Sequence, residues 1–441
     1  MPDTKRALMR TAERAPRPAS AGQRPALPSW LHPSNAGVVY AFAALIVVLS
    51  IATASTGRPA YVSPTNVSNI LDQTALLGIL VVTTTIVLIS GNFDLSVGSV
   101  AALGAAVCLG TMPMLGFWGA FAFALLCGAG VGLFNGVVVQ YVGINAFIVT
   151  LGTLTAVRGL VLILTDGRTV TAAEGADRDA LRGLDDGRWV TPNVYLLVGL
   201  ALLALGAWRL LSVRRRGAAV AEAARTPRVA LPLVAGIALV AVSPALVFTF
   251  ELTQRAAYLI VMVVVAGWVL RYTTVGRRLY ATGGNAEAAR LSGIAVDRYR
   301  VVAFVLNGTA ASFVGVLYAA RLSSINPTGL TGFELTALAA AILGGTSLFG
   351  GLGSVAKSLV GALILVTLAN GFNILNLGAN YQGLIEGVVL IIAAGMYTVA
   401  LRRQQRTRLR SNDATPGDGT AEDAAEADAP AAVRKEAVGA P

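Results

Sequence analysis

AAYLIVMVVVAGWVL (Ala256–Leu270) gives way to RYTTVGRRLYATGGNAEAARLSGIAVDRYR (Arg271–Arg300), which gives way in turn to VVAFVLNGTAASFVGVLYAA (Val301–Ala320). The outer two runs are each close to the roughly 20 apolar residues that cross a bilayer core of about 30 Å. The segment between them is short, polar and rich in arginine. Apolar runs of this length recur along the chain, near 36–56, 70–90, 97–115, 118–141, 145–165, 193–211, 230–250, 254–271, 301–320, 333–349, 354–374 and 380–401.

Composition agrees with that pattern. The 441 residues are 55% hydrophobic and only 13% charged, against about 25% charged in a soluble domain, and mean hydropathy is +0.69. The apolar runs are continuous rather than alternating, so helices, not a closed barrel, must satisfy the backbone in lipid. The expected fold is therefore all-α: a polytopic membrane helix bundle of about 10–12 transmembrane helices. Residues 97–115 and 333–349 are short and rich in Gly, Ser and Thr, which makes them the weakest spans. The first run follows a long arm and lacks a small-residue cleavage site, so it reads as a span and not as a signal peptide.

The arginines set the orientation. With the N-terminus in the cytoplasm, the clusters at Arg214–Arg216, Arg277–Arg278, Arg298–Arg300 and Arg402–Arg410 all fall inside. The loop 166–190 falls outside, where acidic residues outnumber its arginines. This is the positive-inside pattern, and an even number of spans leaves both termini cytoplasmic. The net charge of +11 is explained by topology, and no base-stacking aromatic pattern points to nucleic acid. Residues 1–34 form a basic arm and 404–441 a tail, both of disordered composition. The transmembrane body is 35–403, with 276–300 as its polar cytoplasmic loop.

Within that loop, Asn285 is a good N-cap and Glu287 suits the positive first turn. Gly283 and Gly284 are expected to break the chain before it, and Gly293 to supply a left-handed stop. Such a helix is about 10 Å long at 1.5 Å per residue, too short to stand alone, so it needs a partner surface. A bare connecting loop is the plainer alternative.

The wording of several stretches then becomes informative. Glu287-Ala288-Ala289, then three residues, then Gly293 (E-A-A-x-x-x-G) resembles the coupling motif of ABC importer permeases, although the longer form of that motif is absent. GRRLYATGGNAEAARLSGI, ISGNFDLSVGSV, NAFIVTLGTLTAVRGL and AILGGTSLFGGLGSV together resemble the ribose/xylose-type permeases of bacterial ABC sugar importers. The match covers most of residues 65–400, with the four segments in that family's order. The resemblance implies a cytoplasmic ABC ATPase partner, an extracytoplasmic sugar-binding protein, a second permease copy and a monosaccharide substrate. It also implies residence in the bacterial inner membrane. Gly283, Gly284, Asn285, Glu287, Ala288, Ala289, Arg290 and Gly293 become the expected ATPase-coupling residues. The additional segment near 191–250 resembles the longer xylose-type members.

GNFDLSVGS places Asp94 at the edge of an apolar run, where a carboxylate costs roughly 2.5–3.5 kcal/mol at the bilayer centre. Gly91 and Gly98 bracket Asn92, Asp94 and Ser96, which predicts a broken helix. Asp94 then has two readings: an element of a substrate pathway or gate, or a cap on the next helix. Asn145, Phe147, Thr150, Arg158 and Asn307 are further pathway candidates. An ion pair of Arg158 with Asp94 or Glu386 is expected from the tendency of intramembrane charges to pair.

NGVVVQYVGIN (Asn135–Asn145) and NGFNILNLGAN (Asn370–Asn380) share a spacing, and GNFDLSVGSV and GGTSLFGGLGSV form a looser pair. Both suggest inverted repeats of a transporter. GLGSVAKS (Gly351–Ser358) lacks the second glycine of a phosphate loop and lies between apolar spans. No nucleophile–base pair, metal cluster or cofactor motif is legible, so the chain reads as a permease subunit and not an enzyme. Cys108 and Cys127 read as buried structural thiols. The competing function is an autonomous ion-coupled sugar carrier working through Asp94 or Glu386.

Overall fold

The computed structural model describes residues 33–215, 226–377, 387–388 and 395. The helices are α1 (Pro33–Ser55), α2 (Pro64–Ile89), α3 (Val97–Val137) and, after a π-helical turn at Val138–Val142, α4 (Ala146–Leu164). A strap follows, with β1 (Val170–Thr171), α5 (Ala176–Arg182) and β2 (Arg188–Val190). Next come α6 (Val194–Arg215), α7 (Pro227–Val242), β3 (Glu251–Thr253), α8 (Gln254–Tyr272), α9 (Thr274–Gly284) and α10 (Ala286–Leu291). The described chain closes with α11 (Val296–Leu322), β4 (Ser324–Ile325), α12 (Phe333–Leu343) and α13 (Val355–Leu375). Eight of these stretches are long and apolar enough to cross a membrane. The protein is an all-α polytopic helix bundle with two short β ribbons.

Several expected spans take a different form. The runs at 97–115 and 118–141 are one long helix bent at Gly116, whose φ of 67° and ψ of 170° are non-helical. After the bend, Asp177 of α5 accepts from the Phe117 amide at 2.9 Å. The run at 333–349 contributes only the 11 residues of α12, about 16 Å of helix at 1.5 Å per residue and half of a bilayer core. Glycines at 344, 345, 350 and 351 then carry the chain through an irregular segment. The run at 230–250 stops being helical at Val242. The first helix begins at Pro33, inside the arm expected to be disordered. Most of the span at 380–401, Glu386 and both termini lie outside the described residues.

The core is built by α3 folding around α11, and small residues are the means. A Cβ at Gly128 or Gly132 would overlap the Gly308 or Phe304 carbonyl, and one at Gly315 the Ala101 carbonyl. Ser312 donates to the Ala124 carbonyl at 2.6 Å. Close backbone approach is what gives van der Waals packing its grip where lipid supplies no hydrophobic drive. Helices α12 and α13 pack the same way through Gly361 and the Ala340 carbonyl. Helices α6 and α7 instead pair with each other, through Gly199, Gly206 and Gly236.

The strap end is held by charge. Arg255, 1% exposed, pairs with Asp72 of α2 at 2.8 Å and with Asp185 of the strap. Arg321 of α11 lies 3.7 Å from Asp72. Burial pushes the Asp185 carboxyl up, and the Arg255 guanidinium opposes it. β2 pairs antiparallel with β3, Trp189 opposite Leu252, and β1 with β4, Val170 opposite Ile325.

Candidate functional site: a buried polar knot and an exposed terminal rod

Helix α2 ends at Ile89, and Gly91 takes a φ of 87° to turn the chain back inward. Residues 90–96 run without regular helix until α3 begins at Val97. The predicted helix break is therefore present, and it places Asp94 in the interior, 3% exposed.

Both carboxylate oxygens of Asp94 are engaged. Oδ1 accepts from the Ser96 amide at 2.9 Å and the Ser96 hydroxyl at 2.6 Å. Oδ2 accepts from Asn307 Nδ2 on α11 at 3.1 Å. Asn135 Nδ2 donates to Ser96 Oγ at 3.0 Å, and Thr153 donates to Asn135 Oδ1 at 2.6 Å. Ser99 completes the link to α4 by donating to the Leu154 carbonyl at 2.8 Å. One carboxylate thus ties together the break, both arms of α3, α4 and α11. Such a network is worth most when every member is satisfied. Two buried atoms beside it, Asn92 Nδ2 and Asn307 Oδ1, have no hydrogen-bond partner among the described residues.

Asn92, Asp94, Ser96 and Asn307 are thus brought together. Asn145 caps α4, accepting from the Phe147 amide at 2.8 Å. The half-exposed Phe147 ring stands edge-on to Phe93 of the break at 6.1 Å. Thr150 is fully buried and spends its hydroxyl on the Ala146 carbonyl at 2.7 Å.

Arg158 does not pair with Asp94. Its Nη2 reaches Glu334 Oε1 of α12 at 3.4 Å. Glu334 also accepts from the Gly332 amide at 3.2 Å and crowds Gly98, where a Cβ would overlap its carboxylate. Glu334 escaped sequence reading, although a lone carboxylate in FELTALAAAIL carried the signal. Asn135 and Thr153 escaped too, because neutral polar residues in apolar runs look like ordinary helix-packing positions.

Helix α10 follows α9 after Asn285. Asn285 caps it, accepting from the Ala288 amide at 3.0 Å, and Gly293 closes it at a φ of 77°. Its six residues bury Ala289, while Glu287, Ala288 and Arg290 are exposed and Leu291 is 85% exposed. Arg290 pairs with Asp297 of α11 at 2.6 Å, which braces the rod. Gly283 and Gly284 do not break the chain. They form the last turn of α9, a helix that sequence reading left as loop, and the break falls at Asn285, whose φ is −155°.

The expected echo between GNFDLSVGSV and GGTSLFGGLGSV is a proximity. A Cβ on Gly350 would meet the Gly91 Cα at 2.7 Å, so these stretches share one end of the bundle. The 351–358 near-match to a phosphate loop leads into α13, a membrane-type helix, and follows no strand. Among the described residues, no cluster of His, Cys, Asp and Glu has a metal-binding arrangement.

Comparison with known proteins adds a second line. The family model described as "Branched-chain amino acid transport system / permease component" matches residues 66–394. The xylose transport system permease protein XylH of Escherichia coli (strain K12) is 34% identical over 384 residues, 85% of this chain and 95% of the relative. The ribose import permease protein RbsC of the same strain is 33% identical over 352 residues, 79% and 90% respectively. The XylH protein of Haemophilus influenzae (strain ATCC 51907 / DSM 11121 / KW20 / Rd) is 32% identical over 371 residues, 82% and 95%. No solved structure matches the chain significantly.

Proposed function

The chain belongs to the family of branched-chain amino acid transport system / permease components, and from that premise we propose that it is the membrane permease of an ATP-driven importer for a monosaccharide. A xylose-like pentose is favoured, because the xylose relative aligns over more of the chain than the ribose relative. The α6–α7 hairpin also falls where the sequence resembles the longer xylose-type members.

The observation that carries the reading is α10. It is a short, capped and braced rod whose polar face and Leu291 side chain are turned to the outside of the bundle. A helix this short is marginal by itself; the bundle holds it through Ala289 and Arg290, and its exposed face is left to meet a partner surface. That surface would be a separate cytoplasmic ATPase, and the motor chemistry would be the partner's. A loaded sugar-binding protein docks at the strap end. Closure of the ATPase dimer then pushes the rod, rocking two permease copies between outward and inward states. Both chain termini lie in the cytoplasm under this topology, and the membrane is the bacterial inner membrane.

In this mechanism the knot at Asp94 holds the broken helix in a defined shape. Asn92 and Asn307 offer their unpartnered buried atoms to a passing sugar hydroxyl, and Phe147 offers a face at the same break. Proteoliposomes test the reading directly. Labelled xylose or ribose should enter only when ATP, the ATPase and the binding protein are all present. Accumulation by the permease alone, driven by an ion gradient, would establish the carrier alternative. ATP-dependent uptake of leucine but not of pentoses would replace the sugar assignment with the amino acid named in the family description.

A further inference from the structure

Helix α10 makes few contacts inside the bundle, so any force applied to it leaves through α9 or α11. The α9 route ends on a junction built almost wholly of glycine backbone. Gly283 sits so close to the Ile89 carbonyl that a Cβ there would overlap it, and that same Cβ would lie 2.6 Å from the Gly351 amide nitrogen. That Gly351 amide donates to the Ile89 carbonyl at 3.0 Å. A Cβ on Gly350 would meet the Gly283 carbonyl and the Gly91 Cα, each at 2.7 Å. Three chain segments, 89–91, 283–284 and 350–351, therefore touch with no side chain between them.

Two side chains clamp the junction. Arg300 donates from Nε to the Ser90 carbonyl at 3.1 Å and from Nη1 to Gln140 at 3.3 Å. Tyr280 donates to the Gly353 carbonyl at 2.8 Å, and burial pushes its phenol above the usual value. Both touching segments lead to the buried knot. Gly91 is followed directly by Asn92, and Asp94 lies two residues further on. The 344–354 segment follows α12, whose Glu334 presses on Gly98 and pairs with Arg158.

Resting on the importer reading, we propose that Gly283 is a positioning residue: the point where the coupling segment bears on both helix interruptions and passes its movement to the Asp94 knot. Side chains absorb small displacements by changing rotamer, whereas backbone in van der Waals contact does not. A glycine-only contact therefore transmits a shift of α9 directly. A glycine on α8 supplies the control, since a Cβ on Gly267 would meet nothing within 4 Å.

The test uses the complete importer in proteoliposomes and reads ATP hydrolysed per sugar imported. Gly283→Ala should raise that ratio about tenfold or more, as expected when an overpacked contact biases one of two gate states. Gly267→Ala should leave it near the wild-type value. Tyr280→Phe, which removes one clamp without changing shape, should raise the ratio a few-fold. Backbone amides at 90–96 should exchange hydrogen faster in Gly283→Ala than in Gly267→Ala. If Gly283→Ala is folded and couples like wild type, the proposal is overturned. If that variant does not fold, an unchanged ratio in Tyr280→Phe overturns it, and a raised ratio supports it. A wild-type complex lacking ATP-dependent uptake would instead remove the importer reading, and this inference with it.

Discussion

Arg158 on α4 meets Glu334 on α12 across 3.4 Å, although the two are 176 positions apart in the chain. The contact joins a full-length apolar helix to the start of a half-length one. It also spares the interior two uncompensated charges, because removing one partner of a buried pair leaves the other without its counter-charge.

Reversing either charge alone should therefore destabilise the protein, by about 1–3 kcal/mol, since Glu334 is buried but Arg158 is partly exposed. Arg158→Glu combined with Glu334→Arg should recover much of the loss. Thermal unfolding in detergent, followed by the monodisperse fraction on size exclusion, measures this. A double reversal no better than the worse single variant would show that the two side chains act independently.

Asp94→Asn and Asp94→Ala separate a structural knot from a charge that substrate needs. In Asp94→Asn the new amide nitrogen faces Asn307 Nδ2, but Asn307 can turn its unpartnered Oδ1 toward it. That variant should keep its thermal stability and retain uptake within a few-fold. Asp94→Ala strands the Ser96 hydroxyl and the Asn307 amide, at about 1–3 kcal/mol for a buried unsatisfied group, and should lower both. Abolished uptake in a stable Asp94→Asn protein would assign the charge to the transport pathway.

On α10, Leu291→Ser removes the exposed apolar side chain without touching the bundle. The variant should insert normally yet recover much less ATPase on co-purification. Glu287→Ala and Gly293→Val should bind the ATPase but uncouple hydrolysis from uptake, Gly293→Val because a β-branched residue resists the φ of 77° found there. Normal association and coupling in all three would move the docking surface elsewhere.

At the opposite end, Arg255 is the test of the strap. Arg255→Met leaves Asp72 and Asp185 facing each other without their shared cation, which should cost about 3–5 kcal/mol. Adding Asp72→Asn and Asp185→Asn to Arg255→Met should restore stability, because the stranded charges are then gone. Thermal unfolding of the single and triple variants decides the matter.

What the sequence reveals, it reveals through composition and local spacing. The apolar runs, the break at Gly91–Ser96 and the cap and stop at Asn285 and Gly293 were all legible, because each depends on residues within a turn or two of one another. That Arg158 meets Glu334 and not Asp94 was not, because partner choice depends on how helices cross. Gly283 and Gly284 misled for a related reason. Glycine has low helix propensity in isolation, yet here it is kept inside a helix so that the Ile89 carbonyl can approach.

By itself, then, the sequence determined that this chain lives in lipid as a helix bundle, because a continuous apolar surface has nowhere else to go. It determined as well that the bundle is interrupted and carries a small polar rod. Tertiary structure alone decided that Asp94 meets Asn307, that Arg158 meets Glu334, and that three glycine segments share one point. Those are long-range contacts, set by which helix faces fit closely enough to touch, and no local pattern encodes them.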